Sequence, residues 1–342
     1  MAKTIKIVIP MAGHGTRMRP HTWSKPKPLI SVAGQTSLDL LMESFHSIPS
    51  DLEIEYVFIV SPNMGESQIP EYMQANYPGY KVHYIVQTEM KGQSDALFLA
   101  REFMQGPILM IYSDTLIETD LSGIGDETLD GIAWVKTVQD PRRFGVAEEG
   151  ESKIIKRLIE KPESMENNLA LVGCYYFRSG EELVSAIQEQ FKRNLQLKGE
   201  YFLVDAINIM IEKGSQMRTQ TVDTWLDTGT IEATLETNRH LLKSRKTPLE
   251  VQTTPDVEII APVFIHPDAE VKSSQIGPNV SIGANCQISD CKIEDSILEQ
   301  DVKVENAHLR HSFLGRTVTV KGGGKEGPAV ILNLGDDSSV EM

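Results

Sequence analysis

Apolar and polar positions fall in alternating blocks through the first two-thirds of the chain. Short apolar runs rich in β-branched residues recur at 5–9, 56–60, 82–86 and 108–112. Each has the length and uniform apolarity of a strand buried on both faces. The stretches between them carry apolar residues at helical spacing. Thr36-x-x-Asp39 is a capping signature, and Leu38, Leu41, Met42 and Phe45 behind it predict a helix to about residue 47. Residues 65–77 and 94–104 predict two more helices. This strand–helix–strand alternation predicts an α/β fold, a Rossmann-like layer with a largely parallel sheet and helices on both faces. In such sheets ligands bind beyond the carboxyl ends of the strands. Residues 10–30, 87–93 and Asp114 fall at those ends.

The pattern changes at Gly131. Strand-like GIAWVKTV, KIIKRLIE and ALVGCYYF are separated by polar turns, so a mostly β region is expected, and the sheet becomes mixed. Helices are predicted at 181–193, 202–212 and 230–243. A last strand at 217–222 leads into Trp225-Leu226-Asp227-Thr228-Gly229-Thr230, where an acid and a Gly turn again precede a helix.

Near residue 245 the period disappears in SRKTPLEVQTTPD, and a six-residue period replaces it. Ile259, Ile265 and Val271 step by six; after a slip of one, Ile276, Ile282 and Ile288 step by six again, with Ile276-Gly277 and Ile282-Gly283 as tandem copies. From Ile293 to Leu314 the spacing loosens to five or six. One aliphatic residue per short strand suits a small parallel solenoid, with an irregular β-sandwich as the alternative. The expected organisation is a first domain at 1–245, a linker at 246–256, the solenoid at 257–320 and a tail at 321–342 that caps it or is disordered.

Composition narrows the function. Net charge is -15 with 24% charged residues. Nucleic acid and anionic membranes reward basic surfaces, so neither is the expected partner. Cys174, Cys286 and Cys291 have no CxxC spacing and give neither a disulfide framework nor a metal knuckle. The N-terminal MAKTIKIVIP is too soon interrupted for a signal peptide, and a cytoplasmic protein is expected.

Against this acidic background the stretch 7–30, IVIPMAGHGTRMRPHTWSKPKPLI, stands out. An apolar strand empties into Gly13 and Gly15, followed by Thr16 and Arg17, then Lys25 and Lys27 spaced by prolines. Glycines let backbone N–H groups approach an anion, and the cations supply charge. The glycines alone could be a plain turn; Arg17 and Lys27 behind them favour a phosphate site.

Ala12-Gly13-His14-Gly15-Thr16-Arg17-Met18-Arg19-Pro20 with the following Lys-Pro-Lys-Pro-Leu resembles the signature of sugar-1-phosphate nucleotidylyltransferases, the glucose-1-phosphate thymidylyl- and uridylyltransferases above all. Gln87 followed by Gly92-Gln93-Ser94-Asp95-Ala96 is similar to that family's base-binding segment. Arg143-Phe144-Gly145-Val146, Glu160-Lys161-Pro162, Val172-Gly173 and Gly199-Glu200 resemble its sugar-binding stations, and Trp225 to Thr230 its second metal motif. The repeat resembles the left-handed β-helix that many members carry, an acyltransferase in some and an assembly element in others.

The resemblance implies a nucleotide-diphospho-sugar transferase domain followed by a small left-handed parallel β-helix, NTP and sugar 1-phosphate as substrates, Mg²⁺ as cofactor, and a homo-oligomer. It implies that Ala12, Gly13, Gly15 and Thr16 cradle the triphosphate, with Arg17 and Lys27 as the catalytic cations. Gln87 and Gly92 would meet the base, Asp114 and Asp227 would ligate Mg²⁺, and Gly145, Glu160, Lys161 and Gly173 would hold the sugar phosphate. Two departures stand beside it: the glycine loop is one residue shorter than the commonest form, and Ser113 replaces the usual glycine. A carboxamide at Gln87 offers a donor and an acceptor to uracil or thymine, so dTTP or UTP is favoured over GTP. The Lys-Pro-Lys-Pro segment also resembles mannose-1-phosphate guanylyltransferases. A silent binding paralogue and acyl transfer in the solenoid are further alternatives. Each residue also has a structural reading. Asp114 and Asp227 could be caps, Glu160 and Lys161 a surface ion pair, Lys25 a second cation or a solvated neighbour. His14, His21, His308 and His311 would be polar loop or solenoid-surface residues, Trp225 packing, and the cysteines core.

Overall fold

The computed structural model describes residues 3–244 and 255–342. The chain divides into two compact units, neither a single run of sequence: Met1–Gly13 with Leu41–Trp225, and His14–Leu40 with Leu226–Met342. Residues 14–40 thus group with the part of the chain that follows Trp225. All but the last two residues of the expected linker 246–256 lie outside the described residues.

The first unit is built on a mixed nine-stranded sheet. Its strands are β1 (Lys3–Pro10), β2 (Leu52–Val60), β3 (Val82–Val86), β4 (Ile108–Ile111), β5 (Gly131–Thr137), β6 (Gly145–Glu149), β7 (Ile155–Glu160), β8 (Leu169–Phe177) and β9 (Met217–Thr221). The order β7-β6-β8-β4-β1-β2-β3 places β1 in the interior, between β4 and β2, with β5 pairing β8 and β9 pairing β5. Strands β4, β1, β2 and β3 run parallel, with Val8 facing both Val57 and Met110. Ile7, Val8 and Ile9 are fully buried, as their uniform apolarity requires. The antiparallel strand β8 joins this parallel block to the β-rich part after Gly131.

The helices follow the periodicity with small shifts. They are α1 (Ser37–Glu43), α2 (Met64–Asn76), α3 (Gln93–Leu99), α4 (Gly180–Arg193), α5 (Leu203–Glu212) and α6 (Ile231–Ser244). The capping box forms: Thr36 N donates to Asp39 Oδ2 at 2.9 Å, and Asp39 N to Thr36 Oγ1 at 3.1 Å. Helix α1 ends at Glu43, short of residue 47, where the chain passes into turns. The region 94–104 breaks after Leu99 into a 3-10 turn at Arg101–Phe103. No helix among the described residues is long and apolar enough to cross a membrane.

In the second unit residues 258–341 form a parallel β-helix of three ladders. One ladder registers Ile265, Ile282, Leu298, Leu314 and Leu334; another Val271, Ile288, Val304, Val320 and Val340; the third Ile259, Ile276, Ile293 and Leu309. As far as Leu314 and Val320, successive rungs are 16 or 17 residues apart, which explains the slip from six to five. Asn279, Asn285, Asp290, Asp295, Asp301 and Asn306 take positive φ at the corners, where short polar side chains tolerate the left-handed conformation. The expected tail at 321–342 is not a loose end. Asn333–Leu334 and Ser339–Glu341 add another rung to two ladders, after the Gly322–Gly324 run has lengthened the coil to 20 residues.

Residues 14–40 pack into this second unit. Met18 and Ile30 share a buried cluster with Leu235 of α6 and with Ile297 and Phe313 of the β-helix.

Candidate active site

In the first unit the expected residues gather at three places. The chain leaves β1 through Met11, whose N–H donates to Ile59 O at 2.8 Å, and Ala12, which is buried, before the exposed Gly13. A side chain at Gly13 would meet nothing within 4 Å, so its backbone is open to a ligand. Asp114 follows the adjacent parallel strand β4, and Gln87 follows β3. All three lie past carboxyl ends of parallel strands. Strand order reverses between β1 and β4, the switch point where such sheets open a crevice.

Gln87 is 4% exposed; its backbone N–H donates to Val60 O at 2.9 Å and its amide to Asp95 Oδ2 at 3.1 Å. Asp95 opens helix α3, so helix and carboxamide orient each other. Gly92 precedes that helix at φ 101°, and a Cβ there would sit 2.6 Å from backbone atoms of Tyr201. Only glycine fits this position.

The sugar stations also come together. A Cβ on Gly145 would lie 3.1 Å from Glu160 Oε2, across the β6–β7 pair. Lys161 Nζ lies 3.5 Å from Glu160 Oε1 and 4.5 Å from the centre of the Phe202 ring. The ion pair weighed from sequence thus forms, but on a shaped surface. Lys161 holds the left-handed conformation (φ 47°), and its N–H donates to Phe144 O at 3.0 Å. A lysine fixed in that conformation carries a backbone strain of order 1–2 kcal/mol, characteristic of ligand clamps. Burial raises the Glu160 carboxyl, with Lys161 opposing and Asp205 adding to the rise. Gly173 packs on the turn that carries Asp114: Tyr112 N donates to Gly173 O at 3.0 Å, and Thr115 Oγ1 donates to Val172 O at 3.0 Å. Trp225 makes an edge-to-face contact with Phe144 at 5.1 Å, the packing role expected.

The remaining residues belong to the second unit. Gly15 adopts φ 59° and opens the 3-10 turn Thr16–Met18, tied by Thr22 Oγ1 to Gly15 O at 2.9 Å. Arg17 is exposed, and its Nη2 lies 3.3 Å from where a Gly229 Cβ would stand. Asp227 Oδ1 accepts the Gly229 N–H at 2.6 Å, and Thr237 Oγ1 of α6 donates to Asp227 O at 2.9 Å. Arg17 and Asp227 thus meet over one Asp-Thr-Gly turn. Lys27 opens a 3-10 turn, Lys27–Leu29, between two buried prolines.

Two sequence expectations are corrected here. Lys25 is neither a free second cation nor a solvated neighbour: it is 2% exposed and ion-paired with Glu299 and Asp336. His21 is not a polar loop residue. It is fully buried, stacked on Phe313 at 4.0 Å, with Nε2 donating to Asn333 Oδ1 at 2.7 Å. Burial pushes it down to about 4, so it is neutral at pH 7. Glu299 and Asp336 were missed. The signal was present: Ile282-Gly283, Leu314-Gly315 and Leu334-Gly335 repeat an aliphatic-Gly pair, and Leu298-Glu299 replaces the glycine with a charge.

The nucleotidyl transferase profile matches residues 6–244. The chain belongs to that family. The GMPPB C-terminal domain profile matches residues 259–332. A glucose-1-phosphate thymidylyltransferase of Streptomyces griseus is 28% identical over 99% of both chains, and one from Streptomyces antibioticus 27% over the same shares. The bifunctional protein GlmU of Methanococcus aeolicus is 28% identical over 78% of this chain and 61% of its own. Among solved structures, a UDP-glucose pyrophosphorylase complexed with UDP-glucose superposes with TM-score 0.60 at 20% identity, covering 72% of this chain and all of the other, a likeness of fold. The chain is a sugar-1-phosphate nucleotidylyltransferase built as this family's α/β domain, followed in sequence by a left-handed parallel β-helix.

Proposed function

We propose that the protein transfers a nucleotidyl group from dTTP or UTP to a sugar 1-phosphate, glucose 1-phosphate first, releasing pyrophosphate. The observation that carries the pyrimidine choice is Gln87, a buried carboxamide whose donor side is turned onto Asp95 and the Gly92 carbonyl. Its oxygen is then the group to accept the N3–H of uracil or thymine. The full-length thymidylyltransferase relatives agree with this choice.

In the reaction a phosphate oxygen of the sugar substrate attacks the α-phosphorus. The new O–P bond forms as the bond to the β-phosphate bridging oxygen breaks, and pyrophosphate leaves with its electron pair. No covalent enzyme intermediate is needed, so the chain's task is positioning and charge stabilisation. Backbone at Ala12, Gly13, Gly15 and Thr16 would cradle the triphosphate. Arg17 and Lys27 would neutralise the charge gathering on the phosphoryl oxygens. Gly92 would lie against the base. Lys161 would hold the sugar phosphate, and Gly145, Glu160 and Gly173 would contact sugar hydroxyls.

No group of three or more His, Cys, Asp or Glu side chains placed to hold a metal ion occurs among the described residues. Mg²⁺ takes one or two carboxylates beside substrate phosphates, so strand-end acids such as Asp114 and Asp227 are the fitting donor type. Asp114 and Asp227 would hold Mg²⁺, which would supply positive charge to offset that of the substrate phosphates. The same reading takes the protein as a cytoplasmic homo-oligomer; a monomeric mass by light scattering would contradict the assembly.

The test is a matrix of NTPs against sugar 1-phosphates with Mg²⁺, read as pyrophosphate release. dTTP or UTP with glucose 1-phosphate should give the highest kcat/KM. A preference for GTP with mannose 1-phosphate would overturn the pyrimidine reading, and no release from any pair would overturn the catalytic one.

A further inference from the structure

Residues 14–30 carry Arg17 and Lys27; beside the packing of Met18 and Ile30 on Leu235 of α6, the ion pairs that fix this loop lie on the β-helix of the same unit. Lys25 Nζ contacts Glu299 and lies 3.2 Å from Asp336 Oδ1. Ser24 Oγ donates to Asp336 Oδ2 at 2.7 Å, and Ser31 N to Glu299 Oε1 at 3.0 Å. His21 stacks on Phe313 and bonds Asn333. Glu299 is 3% exposed, and Asp336 is held from its other side by Arg316 at 2.7 Å. Gly335 lets Pro20 approach, since a Cβ there would stand 2.9 Å from Pro20 Cβ.

We propose that Glu299 and Asp336 are positioning residues for nucleotidyl transfer: these two β-helix carboxylates grip Lys25 and thereby set the course of the loop that presents Arg17 and Lys27. This rests on the roles given to Arg17 and Lys27 above.

Three physical points carry it. A lysine ammonium sealed from water is tolerated only with opposed charges, so removing the charge of either carboxylate leaves the buried cation under-compensated. Lys25 is followed by Pro26, Lys27 and Pro28. Proline fixes its own φ and restricts the residue before it, so the course from the pinned Lys25 to Lys27 has few backbone freedoms left. Finally, the grip comes from two coils, one of them formed by residues 333–341 at the end of the chain. The β-helix is then part of the catalytic apparatus, as the support of the loop, without touching substrate.

The test uses full-length Glu299→Gln and Asp336→Asn. Both substitutions keep shape and remove one charge; Asp336→Asn leaves the Glu299 pair in place and is the milder. Two quantities are read: steady-state kcat and KM for pyrophosphate release, and amide exchange of 14–30 beside that of the ladder strands at 287–289 and 303–305. The proposal expects kcat to fall at least tenfold and loop exchange to quicken, with the ladder strands unchanged and KM for the sugar 1-phosphate within twofold of wild type. The KM split and the unchanged ladders separate positioning from unfolding. Wild-type kcat in both variants, with or without faster loop exchange, overturns it. So does a loss of kcat matched by faster exchange in the ladders. A wild-type protein inactive across the whole substrate matrix is a different failure: it removes the functional reading, and this inference with it.

Discussion

Lys25 is sealed against two carboxylates, whereas Lys27 is half-buried at the start of a 3-10 turn. One residue separates them, and both sit in the same Lys-Pro repeat. The sequence marked both as cations near phosphates and singled out Lys27 for the chemistry. What it left open was the partner of Lys25, because Glu299 lies 274 positions away and no local rule links them. Gln87 was the more legible residue. Its place after a buried strand and before Gly92 followed from pattern, and the buried carboxamide on Asp95 follows from the fold. Replacing it with glutamate sets two carboxylates against each other. Gln87→Glu should lower kcat/KM for dTTP and UTP on the order of tenfold or more, since a hydrogen bond becomes a buried repulsion. Unchanged kinetics would remove Gln87 from base recognition.

At the scale of elements the β-helix is the instructive case. Its period was visible as six, with a slip, because aliphatic residues mark each strand. The true coil is 16 or 17 residues, and the missing residues are taken up at corners where Asn and Asp turn the chain at positive φ. Those polar positions carry no hydrophobic signal, so the corners and the last rung were not read. Helix α6 is tied to this β-helix by a charged cluster. His311 Nδ1 lies 2.9 Å from Asp295 Oδ2 and its Nε2 2.7 Å from Glu232 Oε2, while Arg239 bridges Asp295 from α6. The Asp295 bond, with Glu232 adding, raises the imidazole above its ordinary 6.5. A raised folded value means stabilisation that is full below 6.5 and fades as pH climbs through the folded value. The melting temperature of the wild type should therefore drop between about pH 6 and about pH 9 by more than that of His311→Gln. Equal pH dependence of the two proteins would show that the cluster contributes nothing.

For the whole molecule, the fold class was legible, whereas the grouping of residues 14–40 with 226–342 was not. Strand–helix alternation and the repeat gave both architectures in order. A boundary near 245 was expected because composition shifts there, yet residues 14–40 group with 226–342. Composition reports local segments, while the grouping is decided by long-range burial such as Met18 against Leu235 and Phe313. The signature loop and the second acidic motif consequently belong to one unit with the β-helix. The Gln87, Glu160 and Asp114 stations belong to the other. Nucleotidyl transfer by this chain is tested most directly by label tracing. With Mg²⁺ and glucose 1-phosphate, dTTP labelled at the α-phosphorus should pass its label into a nucleotide-sugar. dTTP labelled at the γ-phosphorus should release its label as pyrophosphate in equal amount. Label from the γ position on the sugar, or released as inorganic phosphate, would contradict the account.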